Sequence, residues 1–182
     1  MIINKGLKNI IISTYKSPVG ELLIGSYGDK ICLCDWKYRK QRKQIDQRIM
    51  TSCNAEMIEG ETSIISETIT QLEAYFSGKS EIFDIPLLFN GTRFQTKVWK
   101  HLTDIPFGKT MSYLDLSQNI GDKKAIRAVA AANGANAISI LVPCHRIIGT
   151  DGKLVGYAGG LKAKEQLLRL EGAEIFNQTR LF

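Results

Sequence analysis

The sequence predicts an α/β N-terminal half followed by a mainly α-helical C-terminal half that contains a helix-turn-helix. Three patterns carry that expectation: short β-favouring runs split by turn residues before residue 37, apolar residues at helical spacing from residue 61 onward, and two glycine-closed helical stretches between residues 113 and 134. At 182 residues the chain can bury one good core, or one core and a small satellite. The domain boundary is expected near Gly91, dividing a structural unit at 1–90 from a second unit at 91–182.

Residues 9–15, 21–26 and 31–36 are apolar runs separated by Ser17-Pro18-Val19-Gly20 and Tyr27-Gly28-Asp29-Lys30, which reads as an antiparallel meander. The basic run Lys37-Tyr38-Arg39-Lys40-Gln41-Arg42-Lys43 reads as solvated surface. Over 61–76, Ile65, Ile69, Leu72 and Phe76 recur at helical spacing, and Gly78 ends the pattern. Residues 80–90 form an irregular crossing. Thr92 and Gln95 make a capping box opening a helix with Phe94, Val98, Trp99 and Leu102 on one face, stopped by Ile105-Pro106-Phe107-Gly108.

A short helix over 113–120 closes at Gly121, and Asp122 can cap a second helix ending at Asn133-Gly134. Helix, glycine turn and small-residue helix form the helix-turn-helix pattern, which any αα-hairpin shares. Alanines at 128, 130, 131 and 132 leave the second helix thin, which suits a narrow groove, and Arg127 is its one long cation. Residues 161–172 form the last helix. Glu171 near its C-terminal end opposes the helix dipole, so a compensating partner is expected.

Charge is uneven along the chain. The first 91 residues hold 11 basic and 11 acidic side chains, whereas residues 92–182 hold 13 and 7, the whole of the net +6. Excess confined to one half points to a polyanion-facing surface, with nucleic acid the leading partner class. No stretch is long and apolar enough to span a bilayer, and the N-terminus lacks a charged segment followed by an apolar signal core; a soluble, intracellular (cytoplasmic) protein is expected. Cys32, Cys34, Cys53 and Cys144 do not read as a secreted disulfide framework. Cys32 and Cys34 would share one face of a strand and pack in the core, and neither a metal nor a cofactor is expected.

The chemistry centres on Pro143-Cys144-His145-Arg146, reached through the apolar residues 138–142, which read as a buried strand or strand-like approach. Pro143 ends any ladder, so Cys144 is presented at the end of a rigid lead-in. A free thiol, with a pKa of roughly 8.5, is only about a few per cent ionised at neutral pH. The adjacent imidazole and guanidinium are expected to raise that share. Residues 147–160 follow with five glycines and Tyr157, a wall that lets backbone approach a flat ligand. A Cys-His hydrolase and a non-enzymatic DNA-binding regulator are two classes that these residues leave open.

Pro143-Cys144-His145-Arg146, Tyr157-Ala158-Gly159-Gly160-Leu161, Arg127-Ala128-Val129 and Ile105-Pro106-Phe107-Gly108 together resemble the O6-alkylguanine-DNA alkyltransferases, also called methylated-DNA–protein-cysteine methyltransferases. The resemblance is close over 94–172 and holds in outline over 1–91. It implies a ribonuclease-H-like antiparallel sheet with a helix in the N-terminal domain, and a C-terminal domain carrying the helix-turn-helix and an active-site loop. It further implies direct, irreversible, single-turnover transfer of a methyl or alkyl group from O6-alkylguanine in DNA, with O4-alkylthymine left open as a substrate.

By the same resemblance Cys144 is the acceptor, His145 its base through a water, Glu171 the carboxylate behind it, and Asn136 the holder of the turn and a member of the same network. Tyr113 would donate to the base and help rotate the phosphate. Arg127, Ala128, Tyr113 and Arg146 would contact DNA, with Arg127 entering the stack as the damaged nucleotide leaves. Tyr157, Ala158, Gly159, Gly160 and the Ile147 carbonyl would line the base pocket. The implied partner is double-stranded DNA, met through the minor groove with a flipped alkylated guanine; the protein is expected to be a monomer. Two residues depart from the family pattern: Asn136-Ala137 stands where Asn-Pro is common, and Ala135 where many bacterial members are basic.

Overall fold

The computed structural model describes residues 9–176. The three β-favouring runs form β1 (Ile10–Ser17), β2 (Gly20–Tyr27) and β3 (Lys30–Trp36), an antiparallel meander joined by two-residue turns. A fourth strand, β4 (Met57–Glu59), adds to β1 in parallel, giving the order β3-β2-β1-β4. The sheet is therefore mixed, not antiparallel throughout. β4 is three residues long and too short to show an alternation in sequence.

Between β3 and β4 the basic run leads into α1 (Arg42–Cys53), a helix absent from the sequence reading. Only Ile45 and Ile49 are buried on it, one turn apart, so its apolar stripe is too narrow to announce itself. α2 (Ser63–Phe76) is capped by the Thr62 hydroxyl, which accepts from Ile65 N, and it buries Ile65, Leu72 and Tyr75.

The C-terminal half is helical, as predicted. α3 (Arg93–Thr103) opens on the reciprocal Thr92/Gln95 capping box and buries Val98, Trp99 and Leu102. β5 (Met111–Ser112) precedes α4 (Tyr113–Ile120), which Gly121 closes at φ +96°. Asp122 does cap, but what it opens is a 3₁₀ turn over Lys123–Ala125 that leads into α5 (Ile126–Gly134). β6 (Ile147–Ile148) pairs in parallel with β5, and α6 (Leu161–Leu170) is the last α-helix among the described residues, followed by a 3₁₀ turn over Glu174–Phe176.

One core runs through both halves: Leu22, Ile24 and Trp36 pack in the same cluster as Val98, Trp99, Leu102, Val142 and Leu167. A smaller cluster joins the sheet to α1 through Ile10, Leu33, Ile45 and Ile49. Cys32 and Cys34 are both buried, as expected, yet they belong to different clusters. The β2–β3 register shifts at Gly25/Ser26, and this bulge breaks the alternation that would have put both thiols on one face.

Residues 138–142 correct a second expectation. They are buried, but they form a turn, not a strand: Leu141 N donates to Ser139 O at 3.0 Å and Val142 N to Ile138 O at 2.9 Å. Ile140 sits at φ +74°, a left-handed conformation that strains a β-branched residue by about 1–3 kcal/mol. Surrounding contacts must hold it there.

Candidate active site around Cys144

Cys144 opens a 3₁₀ turn, Cys144–Arg146, directly after Pro143. The residue is 3 % exposed, yet it lines a cleft of about 830 Å³. The Asn136 side chain ties the preceding turn together, donating from Nδ2 to Val142 O at 3.0 Å and accepting from Ile138 N at 2.9 Å. Burial pushes the Cys144 thiol up from its ordinary value; the Asn136 hydrogen bond and the charges of Arg39 and Lys164 oppose it, while Asp35 adds to the rise. Arg146, expected to raise the ionised share, is engaged with Glu171 instead. The opposing cations are Arg39, from the N-terminal half, and Lys164.

Glu171 receives the compensation its place at a helix end demands. Its Oε1 accepts from His145 Nε2 at 2.7 Å, Tyr75 Oη at 2.7 Å and Arg146 Nη2 at 3.0 Å. Its Oε2 accepts from Arg146 Nε at 2.8 Å and Gly108 N at 3.2 Å. Burial raises the Glu171 pKa, but the His145 and Arg146 hydrogen bonds and charges outweigh it and hold the group down at about 2. An ionised carboxylate can only accept, so His145 Nε2 carries the proton of the neutral ring. Burial keeps the imidazole neutral by lowering its pKa. Its other nitrogen, Nδ1, is then a lone pair; it is buried with no hydrogen-bond partner among the described residues. Gly108 is required at φ +72°, since a Cβ there would lie 2.8 Å from the Glu171 carbonyl oxygen.

The cleft brings together Cys144, Tyr113, Asn136, Tyr157 and the glycine-rich wall of Ala158, Gly159 and Gly160. Asn133 Nδ2 donates to Tyr113 Oη at 3.3 Å. Gly159 packs against the Trp36 indole so closely that an added Cβ would sit 2.3 Å from the ring. Arg127 and Ala128 lie exposed on α5.

Two predicted contacts fall elsewhere. Arg146 is buried, its guanidinium spent on Glu171 and on Ile105 O at 2.5 Å. Ile147 is fully buried and does not line the cleft; its carbonyl accepts from Lys164 Nζ at 2.5 Å. Asn136 serves the Cys144 turn and makes no hydrogen bond to the His145–Glu171 pair.

Sequence reasoning missed Tyr75, Arg39 and Lys164. Lys164 is fully buried on α6 and also donates to Val155 O at 2.7 Å, fastening the active-site loop to β6. Burial pulls its ammonium down to about 8. Its position three and four residues before Leu167 and Leu168, on their apolar stripe, was a signal the sequence offered. Among the described residues no group of three or more His, Cys, Asp or Glu could hold a metal ion. Nor is any described helix long and apolar enough to cross a membrane.

Residues 10–89 match the family description "6-O-methylguanine DNA methyltransferase, ribonuclease-like domain", and residues 93–173 match its "DNA binding domain". A methylated-DNA–protein-cysteine methyltransferase of Methanosarcina acetivorans is 44 % identical over 159 residues, covering 87 % of this chain and 96 % of that one. A Mycobacterium tuberculosis protein of the same name is 40 % identical over 169 residues, covering 93 % and 96 %. The crystal structure of Mycobacterium tuberculosis OGT in complex with DNA superposes with a TM-score of 0.76 at 39 % identity, covering 89 % of this chain and 92 % of that one.

Proposed function

Since the chain belongs to the 6-O-methylguanine DNA methyltransferase family, we propose that Cys144 takes the alkyl group from O6-alkylguanine in DNA directly and irreversibly. The observation that carries the assignment is the Cys144 sulfur at the wall of a cleft whose other sides are Tyr113, Tyr157 and glycine backbone. That shape accepts a flat base beside a nucleophile.

The His145–Glu171 hydrogen bond supports a specific proton inventory. His145 Nδ1, the ring's lone pair, takes the Cys144 proton through an intervening water, and ionised Glu171 stabilises the imidazolium formed. The thiolate attacks the saturated carbon; the S–C bond forms as the C–O6 bond breaks. Charge building on the departing guanine is met by a proton from the Tyr113 hydroxyl, which recovers one through solvent from His145. The thiol proton ends on guanine. The product is a thioether without a carbonyl for water to attack, so the cysteine stays alkylated and each molecule acts once.

A carbon on O6 inside a stacked duplex is out of line for this attack. The nucleotide must leave the helix, at about a few kcal/mol. We assign the thin, alanine-rich α5 to the minor groove and exposed Arg127 to the space the nucleotide vacates, with the protein acting as a monomer. Residues 1–90 and 91–182 are taken as a structural domain and a DNA-binding, alkyl-accepting domain. O4-alkylthymine is an open second substrate.

The test is a titration with excess duplex containing O6-methylguanine. Restored guanine should plateau at one equivalent per protein, and Cys144→Ala should restore none while still binding the duplex. Continued turnover would favour a hydrolase, and full repair by the alanine variant would remove the assignment.

A further inference from the structure

The backbone that leads from α5 into the Cys144 turn has four successive carbonyls at 134–137, and the N-terminal half covers all of them. Arg39 Nη2 donates to Gly134 O, Arg48 Nη2 to Ala135 O at 2.9 Å, Arg39 Nη1 to Asn136 O at 2.7 Å, and Cys34 N to Ala137 O at 2.9 Å. The last carbonyls of a helix have no partner within it, and cations at that end are favoured by the dipole. Arg39 is itself held: it is buried, and Nη1 also donates to Asp35 Oδ2 at 2.7 Å. Asp35 is fully buried, accepts from Arg42 Nη1 at 3.0 Å, and through Oδ1 accepts from Ser139 Oγ at 3.2 Å. Ser139 lies in the turn beside strained Ile140, so the cluster grips that turn on both sides of Asn136.

We propose that Arg39 is a positioning residue for alkyl transfer: by bridging the Gly134 and Asn136 carbonyls it fixes the turn that aims Cys144, making the N-terminal half part of the reacting apparatus. This rests on Cys144 being the acceptor. Arg39 is the member of the basic run best suited to the task, because a guanidinium fork reaches two carbonyls and a carboxylate at once. Nothing else among the described residues bridges both carbonyls. Its charge also acts on the sulfur, in the direction that favours thiolate. The two roles converge on one atom.

A merely structural staple and a positioning residue differ in what they move. Arg39→Lys keeps the cation and loses the fork. The expected result is a single-turnover rate constant, measured at saturating duplex and within the active fraction, lowered by between about tenfold and about 10²-fold, as for misaligned reacting groups. Affinity for undamaged duplex should stay within about twofold. Should that variant not fold, Ser139→Ala removes one hydroxyl without stranding a cation, and its rate constant should fall in the same direction by less. An unchanged rate constant, or a loss confined to active fraction or DNA affinity, overturns the proposal. The wild-type protein run alongside separates the cases: if it does not take up the methyl group, the acceptor assignment fails first.

Discussion

Glu171 shows how one buried side chain can serve fold and chemistry together. Five hydrogen bonds converge on a carboxylate that is 4 % exposed, and three of them come from His145 and Arg146, the two residues that follow Cys144. Removing the charge should strand the Arg146 guanidinium, so Glu171→Gln is expected to cost about 3 kcal/mol in urea denaturation. It should also slow methyl transfer, because the imidazolium loses its anion. The pH dependence has a definite sign. A carboxyl depressed to about 2 from 4.5 contributes stability that is fully present above about 4.5 and disappears as pH falls toward about 2. Acid unfolding followed by circular dichroism should therefore show a limb in that window, absent in the glutamine variant. At this scale much was legible: a glutamate at a helix C-terminus announced the need for a partner, and Pro-Cys-His-Arg announced the thiol. The sequence misled over Arg146. The resemblance implied a DNA contact there, whereas the side chain is buried against Glu171 and Ile105.

Elements differ in legibility for reasons their residues make plain. α3 and α4 carry capping boxes, strong periodicity or a closing glycine, and all of that is local. α1 has two buried isoleucines in twelve residues, and β4 draws its identity from pairing with β1, so neither had a local signature. Residues 138–142 looked like a strand because they are apolar and β-branched. They form a turn instead, in which Ser139 donates to Asp35 while Cys34 and Arg39 donate to the carbonyls of Ala137 and Asn136 just before it, and no window of sequence contains those partners. The same coupling between elements sets the glycine wall. Gly159→Ala would drive a methyl group into the Trp36 ring, with an expected cost of about 1–3 kcal/mol. In a double-mutant cycle, Trp36→Leu should relieve part of that cost, giving an interaction energy of about 1 kcal/mol or more; strict additivity would show that the two do not share a contact.

Taken as one molecule, the protein places its positive excess and the Cys144 sulfur in the C-terminal half, while the N-terminal half supplies Tyr38 and Arg39 to the cleft, Trp36 to the back of its glycine wall and Asp35 to the turn behind it. Tyr38 Oη even donates to Gly159 O, at 3.4 Å, across the cleft wall. The division into two halves was readable from charge and pattern; their interdependence was not, because Tyr38 and Arg39 come from a stretch that reads as plain basic surface and Asp35 and Trp36 from a strand that reads as core. Intact-mass spectrometry after mixing the protein with a duplex containing O6-methylguanine, followed by peptide mapping, tests the central assignment most directly. The expected result is a gain of one methylene per molecule, located on Cys144 and never exceeded. A methylene on any other residue, or repaired DNA with no change in protein mass, would contradict it.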